Sequence, residues 1–404
     1  MSDTLMVGVS GVRGIVGKDL TEDVVTRYAT AFGLWARERK PLVVVGRDAR
    51  KSGPAFETAV IRGLASVGCD VIKVGLAPTP TIQLAVEHHQ AGGGIAITAS
   101  HNPIEWNALK FIGPDGVFLD GADGTRVQKL AAEGGEGRGR AGKVGTDDGA
   151  VARHLDRVLR LPGLAVAEIR AKQVKVALDT VRGAGGPIMR ALLERLGCDV
   201  LGLHLETDGE FPRAPEPVPE NLGELAGLVR RSGADLGFAV DPDGDRLAIV
   251  DERGEPIGED YTLAFAVRAV LGGKRETGNG KRVVVCNLST SLIVEDAARE
   301  CGADVVRTPV GEAHVARAIV RLAAKIGGEG NGGVIYPALH VGRDAPVAAA
   351  LALEWLARSG RPVSALVAAA PRYTIVKAKV PRGPALELVY AALRRRYADA
   401  TADA

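Results

Sequence analysis

The sequence predicts an α/β protein: three similar α/β domains with mixed, mostly parallel sheets, followed by the start of an incomplete C-terminal domain. One repeated pattern carries this. A β-branched run leads through a polar loop into a helical stretch, which ends in a Gly-(Cys/Ala)-Asp-Val step into a second β-branched run. The pattern occurs at residues 41–75 (PLVVVGRD to GCDVIKVG), 173–203 (QVKVALDT to GCDVLGL) and 282–311 (RVVVCNLST to GADVVRTPVG). Each copy reads as strand, helix, strand, with the glycine ending the helix. Parallel β-α-β units imply sheets covered by helices on both faces. Copies about a hundred residues apart suit three domains of ordinary size. The competing architecture is one large doubly wound sheet.

Breaks in the pattern divide the chain. Residues 133–149 (EGGEGRGRAGKVGTDDG) are glycine-rich and charged and read as a loop or linker. Residues 207–221 (TDGEFPRAPEPVPEN) carry four prolines and read as irregular. After Ala370 come a strand-like run (YTIVKAKV), a helix (ALELVYAALRRRY) and a polar tail, too little for an independent domain. The expected units are therefore 1–150, 151–253 and 254–370, with 371–404 as an incomplete fourth.

Composition narrows the function. Of 404 residues, 51 are basic and 49 acidic, so a net charge of +2 gives no electrostatic case for a nucleic-acid or membrane partner. The four cysteines (Cys69, Cys198, Cys286, Cys301) are widely separated, which argues against zinc ribbons and disulfide scaffolds and fits a reducing cytoplasm. No secretory signal opens the chain. The longest apolar run, Ala345 to Ala357, is interrupted by Glu354 and is too short to span a bilayer. No exposed apolar stripe or heptad fixes an oligomeric state, leaving a monomer or a homodimer.

Three segments could carry chemistry. Thr98-Ala99-Ser100-His101-Asn102-Pro103 follows the apolar run GGGIAI, so it turns at the end of a strand, where α/β folds bind ligands. It reads either as an exposed hydroxyl beside an imidazole or as a hydrogen-bonded turn. Asp241-Pro242-Asp243-Gly244-Asp245-Arg246 lies between LGFAV and LAIV. Its three carboxylates repel one another unless a cation holds them, and hard oxygen ligands point to Mg²⁺ or Ca²⁺, the alternative being a solvated acidic turn. A calcium EF-hand is excluded, since Arg246 stands where that loop needs glycine and the flanks are strand-like. Arg246 beside the carboxylates suggests an anion site next to the metal, as phosphoryl transfer requires. Gly327-Gly328-Glu329-Gly330-Asn331-Gly332-Gly333 offers a carboxylate and an amide on a permissive backbone, which suits sugar hydroxyls better than phosphate. Arg13, Arg47, Arg50 and Lys110 could complete an anion site or be solvated surface charges.

In this order, SGVRG, GRDARKSG, APTPT, TASHNP, DPDGDR, TPVGEAH and GGEGNGG resemble the α-D-phosphohexomutase superfamily over nearly the whole chain. The resemblance implies a phosphorylated serine at Ser100 and Mg²⁺ held by Asp241, Asp243 and Asp245, with Ser100 also touching the metal. It implies Arg246 at the phosphoryl site, and Arg13 and Lys110 near the transferring group. His101 and Lys110 are candidate proton carriers. Glu329, Asn331, Gly311 and Arg246 are expected to contact substrate. The implied reaction interconverts hexose 6-phosphate and hexose 1-phosphate through a bisphosphorylated sugar, which also serves as activator.

Two departures stand out. Many members read GExSGH in the sugar loop, whereas here Asn331 and Gly333 occupy the matching positions. This resembles the archaeal-type phosphoglucosamine mutase subgroup and favours glucosamine phosphate over glucose or mannose phosphate. Members also carry a fourth domain with an RPSGTEP-like phosphate loop, and no such segment occurs here. The expectation is weak or no mutase turnover by the 404-residue chain, so a non-catalytic sugar-phosphate binder is one alternative. The other is an aspartyl phosphotransferase of the haloacid-dehalogenase type with Asp241 as nucleophile, since FAVDPDGD resembles its opening motif.

Overall fold

The computed structural model describes residues 4–134, 141–272, 282–374 and 386–398 and divides into two compact units, Met1–Pro371 and Arg372–Ala404. In the first unit, the chain opens with β1 (Met6–Gly8), β2 (Gly11–Ile15) and α1 (Glu22–Arg37), whose first turn is capped by Thr21. It continues through β3 (Leu42–Arg47), α2 (Gly53–Ser66), β4 (Asp70–Leu76) and α3 (Thr79–His89). Next come β5 (Gly93–Ile97), β6 (Trp106–Ile112), α4 (Gly121–Glu133) and β7 (Val144–Thr146). These strands form a seven-stranded sheet in the order β1-β2-β6-β5-β3-β4-β7. The glycines of β5 are a packing requirement: a Cβ on Gly93 would sit 2.8 Å from the Phe32 ring. The 133–149 segment, expected as linker, contains β7, which pairs parallel to β4 from Val71↔Val144 to Lys73↔Thr146. Glycine-rich composition hides so short an edge strand.

Helices α5 (Ala150–Leu159) and α6 (Val166–Lys172) lead into β8 (Lys175–Asp179), α7 (Gly186–Arg195) and β9 (Asp199–Leu203). The proline-rich 207–221 stretch holds only a 3₁₀ turn at Pro219–Asn221. Then follow α8 (Gly223–Ser232), β10 (Leu236–Val240) and β11 (Leu247–Val250), giving a sheet ordered β11-β10-β8-β9. The third sheet, β13-β12-β14-β15, is preceded by α9 (Asp260–Leu271). It is built from β12 (Val283–Asn287), α10 (Ile293–Glu300), β13 (Asp304–Thr308), α11 (Glu312–Leu322), β14 (Ile326–Glu329) and β15 (Gly333–Ile335). Helices α12 (Ala345–Ser359) and α13 (Val363–Ala368) close the unit. The second unit contains α14 (Leu386–Arg396), as expected. Of the strand expected at 373–380, residues 373–374 are irregular and the rest lie outside the described residues.

The repeats are real, and they extend further than the sequence pattern. β3-α2-β4, β8-α7-β9 and β12-α10-β13 are parallel pairs, and Gly68, Gly197 and Gly302 after their helices have φ of +80°, +78° and +65°. After each pair a second helix (α3, α8, α11) crosses to a third parallel strand (β5, β10, β14) on the other side of the first. A hairpin then adds an antiparallel strand (β6, β11, β15). The three sequence-flagged loops are these three hairpins: 98–105, 241–246 and 330–332. Each lies at the carboxyl end of a parallel strand, where open α/β sheets bind ligands. This is three sheets, not one doubly wound sheet.

Two features join the layers of the first unit. Apolar side chains of the second and third sheets, among them Leu178, Phe238, Val284 and Ile326, share one core with the buried face of α12. Asp344 caps α12 through the Val347 N–H (2.9 Å), and its Oδ2 accepts hydrogen bonds from His154 on α5 and from His340. The second ring nitrogen of His154 meets Thr81 Oγ1 on α3 at 2.8 Å. All four cysteines are free thiols. Among the described residues no helix is long and apolar enough to cross a membrane.

Candidate active site

Ser100 sits at the tip of the first hairpin with φ +49°, a left-handed conformation that costs a non-glycine residue about 1–3 kcal/mol. The loop is held there from behind. Arg50 is buried, and its guanidinium donates to the carbonyls of Ser100 (2.6 Å), Asn102 (2.7 Å), Pro103 (2.7 Å) and Trp106 (2.8 Å). Asp48 fixes the other edge of Arg50 at 3.2 Å and takes the Thr98 hydroxyl at 2.6 Å. Thr98 Oγ1 in turn accepts the Ser100 N–H at 2.9 Å. Arg50 is therefore neither an anion ligand nor a surface charge: its donors are used by the loop. Arg47 donates to the Asp48 carbonyl and also stays outside the cavity.

The Ser100 hydroxyl donates to Asp241 Oδ2 at 2.9 Å, joining the first hairpin to the second. Asp241 Oδ1 accepts the N–H groups of Asp245 (3.1 Å) and Arg246 (3.2 Å), with Gly244 at φ +69° completing the turn. Thr79 of the APTPT segment holds Asp243 from both ends, through its N–H to the Asp243 carbonyl and its hydroxyl to Oδ2 (2.7 Å). Lys110 Nζ lies 2.7 Å from Asp243 Oδ2 and 3.7 Å from Asp245 Oδ2. Burial and the charges of Asp245 and Asp243 push the Asp241 carboxyl well above the usual range. Burial also acts to raise Asp243, but Lys110 and the hydrogen bonds from Asp241, Lys110 and Thr79 outweigh it and hold Asp243 far below that range. Burial disfavours the Lys110 ammonium, yet Asp243 and Asp245 overcome this and raise it.

This cluster fits a divalent cation. Oxygens of Asp241, Asp243 and Asp245 lie within 4.8 Å of one another, and Asp243 Oδ1 and Asp245 Oδ1 are buried with no hydrogen-bond partner. Three clustered carboxylates with hard oxygen donors, two of those oxygens left without a hydrogen-bond partner, match Mg²⁺ or Ca²⁺.

The third hairpin presents Glu329, whose Oε1 accepts from Asn287 Nδ2 (2.7 Å) and the Gly311 N–H (3.2 Å). Its Oε2 accepts from Arg343 (2.6 Å) and, more weakly, Asn331 Nδ2 (3.4 Å). All three hairpins open onto a cavity of about 800 Å³ lined by Arg13, Ser100, His101, Lys110, Arg246, Gly311, Glu329 and Asn331. Arg13, on β2, is steered by Asn102 Oδ1 at 2.8 Å. His101 is held neutral: burial and the neighbouring Arg246 push its pKa down to about 3.

Every residue singled out in the sequence, Arg47 and Arg50 apart, thus meets at one cavity or its floor. Sequence reading quoted the segments holding Thr79, Asn102 and Glu312 but gave those residues no role of their own, and it missed Glu216, Asn287 and Arg343 as site residues. Glu216 reaches from the proline-rich stretch to within 3.6 Å of Arg246 and 3.9 Å of His101. Arg343 had one available signal, a charged Arg-Asp pair directly before a helix whose first nine residues are apolar.

The chain is similar to known proteins over most of its length. Residues 4–138, 152–254 and 258–373 match alpha/beta/alpha domains I, II and III of phosphoglucomutase/phosphomannomutase. A Thermococcus kodakarensis protein described as "Phosphoglucomutase/phosphomannomutase" is 40% identical over 380 residues, covering 93% of this chain and 82% of that one. A Methanopyrus kandleri protein described as "Probable phosphoglucosamine mutase" is 36% identical over 400 residues, covering 97% and 86%. The crystal structure of a phosphoglucomutase/phosphomannomutase family protein from Burkholderia thailandensis superposes with a TM-score of 0.80 at 29% identity, covering 91% of this chain and 81% of that one.

Proposed function

The chain belongs to the phosphoglucomutase/phosphomannomutase family, and from that premise we propose that it interconverts glucosamine 6-phosphate and glucosamine 1-phosphate through a phosphoserine at Ser100. It is an enzyme of the phosphohexomutase group, which removes the aspartyl-phosphotransferase alternative. The observation that carries the proposal is the Ser100 hydroxyl, strained into the left-handed region and 2.9 Å from Asp241 beside a cation-rich cavity. The amino sugar is favoured by the EGNGG form of the sugar loop and by relatives described as phosphoglucosamine mutases. Glucose and mannose phosphates are the alternative substrates.

In the proposed cycle the Ser100 Oγ–P bond breaks as a bond forms from phosphorus to the free hydroxyl of the sugar phosphate. The bisphosphorylated sugar turns over, and its other phosphate returns to Ser100. Mg²⁺ held by Asp241, Asp243 and Asp245 would draw charge from the phosphoryl oxygens. Lys110, whose ammonium Asp243 and Asp245 favour, would protonate Ser100 as it leaves. His101 is the acceptor of the pair. Its low basicity reflects burial and the field of Arg246 and Lys110, which an incoming phosphoryl dianion offsets. Arg13 and Arg246 flank the transferring group.

The test is ³¹P NMR of the chain with Mg²⁺ and a catalytic amount of bisphosphorylated sugar, offering glucosamine, glucose and mannose 6-phosphates separately. A 1-phosphate signal growing fastest with glucosamine supports the proposal against the expectation of weak or no turnover, and no signal with any of the three sugars refutes it. Faster conversion of another sugar changes the substrate, and phosphate exchange that survives loss of the Ser100 hydroxyl refutes the phosphoserine.

A further inference from the structure

Arg343 lies at the junction of two of the three hairpins. It is 7% exposed, and each edge of its guanidinium meets a carboxylate from a different segment. Nη2 donates to Asp245 Oδ2 at 2.6 Å, Nη1 donates to Glu329 Oε2 at 2.6 Å, and Nε lies 3.0 Å from Glu312 Oε2. The main chain beneath it is equally fixed. Its N–H donates to Glu312 Oε1 at 3.2 Å, it bridges to Ile335, and the next residue caps α12. We propose that Arg343 is a positioning residue that ties the metal loop to the sugar loop, so that one planar group sets the aim of Asp245 and of Glu329 together.

The chemistry of the fork carries this. A guanidinium holds two carboxylates at a set angle, whereas an ammonium of equal charge is a point that favours one. Asp245 gives Oδ2 to Arg343, so the guanidinium decides where Oδ1 points, and Oδ1 is one of the two buried oxygens without a hydrogen-bond partner. On the other side, Arg343 and Asn331 are the two donors to Glu329 Oε2, and Arg343 is the shorter by 0.8 Å. Other supports are one-sided. Thr79 holds Asp243, and Asn287 holds Glu329. A backbone bond from the Leu247 N–H to the Gly332 carbonyl (3.0 Å) also ties the two hairpins, but among the described residues Arg343 alone joins the carboxylates Asp245 and Glu329 by side-chain hydrogen bonds.

The inference rests on reading the aspartates as the cation site and Glu329 as a sugar contact, and its test separates the two levels. Dissociation constants for Mg²⁺ and for glucosamine 6-phosphate are measured by calorimetry on protein unphosphorylated at Ser100, each with the other ligand absent. Arg343→Lys, which keeps the charge and removes the fork, is expected to weaken both by about tenfold or more, the range for lost support of a ligand. Thr79→Val is expected to weaken Mg²⁺ only, and Asn287→Ala the sugar phosphate only. An Arg343→Lys variant within about twofold of the parent on both constants, or shifted on one only, overturns the proposal. Should that variant not fold, Glu312→Gln loosens the same guanidinium from its third carboxylate. A joint, smaller weakening of both constants supports the coupling, and no shift in either overturns it. A parent chain that binds no Mg²⁺ overturns the underlying reading and this proposal with it.

Discussion

Replacing Arg50 with methionine should separate the stability of the fold from the readiness of the serine loop. The guanidinium is 1% exposed and is the ion-pair partner of Asp48, itself 1% exposed. Removing one partner of a buried pair costs about 3–5 kcal/mol, because the other charge is stranded. Four carbonyls of the loop also lose a donor, Pro103 keeping the Trp106 N–H, and each one left with none faces a further penalty of about 1–3 kcal/mol if it stays dry. The loop borders the cavity, so it is expected to open to water instead of bearing that second cost. The global loss should then be about 3–5 kcal/mol, with Ser100 released from its strained φ. Burial already raises the Asp48 carboxyl against the lowering influence of Arg50 and Thr98, and the substitution removes the larger of those two. A carboxyl with a raised folded pKa binds its proton more tightly when folded. Stability therefore rises as pH falls through that pKa, and the deficit should shrink between pH 7.5 and pH 5. Urea unfolding followed by the fluorescence of Trp35, buried in the same sheet's core, reads the first effect. Mass spectrometry of Ser100 after incubation with bisphosphorylated sugar reads the second, expected to be loss of phosphorylation. A variant within about 1 kcal/mol of the parent, or one phosphorylated at the parent rate, refutes the reasoning.

Other consequences are as direct. Ser100→Ala should abolish phosphoprotein formation by ³²P labelling while leaving the melting temperature nearly unchanged, since the hydroxyl makes one hydrogen bond, to Asp241. Chelation should remove phosphoryl transfer, and Mg²⁺ at a hundred times its dissociation constant should stabilise the fold by about 2.7 kcal/mol. Asp243→Asn should reduce that stabilisation in the same melting experiment. Lys110→Met should lower turnover by about 10²–10⁴-fold, and rapid-quench kinetics should place the loss in phosphoryl transfer and not in sugar-phosphate binding. With its pKa at about 3, His101 should stay neutral from pH 8 to pH 5, which nitrogen NMR of the imidazole checks directly.

The β-α-β repeats were legible because each rests on local rules: β-branched runs, helical spacing and a glycine with positive φ before the returning strand. The charged loops were legible for the same reason, since Asp241, Asp243 and Asp245 have no use so close together unless a cation holds them. What stayed hidden depends on contacts distant in sequence. Arg50 and Ser100 are 50 positions apart, and Arg343 and Asp245 are 98 apart. An arginine reads from sequence as a surface charge, and nothing local reveals that all five guanidinium donors of Arg50 find oxygen inside. Strand β7 was missed for the opposite reason: at three residues it is held by β4, not by its own propensity.

The equivalence of the three hairpins explains why the site can exist at all. A parallel strand that ends in an antiparallel hairpin offers a short loop at the sheet's carboxyl edge, and the fold makes that offer three times around one cavity. Position is thus supplied by topology, and residue type alone decides that one loop presents a hydroxyl, the next a cage of carboxylates and the third a carboxylate with an amide. Such loops cannot hold themselves, because their own charges repel or their glycines wander. Each is braced from outside its own hairpin: the serine loop by Arg50, the metal loop by Thr79 and Arg343, the sugar loop by Asn287 and Arg343. The braces are unequal in reach. Arg50 serves only the serine loop, whereas Arg343 serves two loops at once. Substitutions at Arg50 should therefore remove phosphorylation while sparing metal and sugar binding, whereas those at Arg343 should weaken both bindings together.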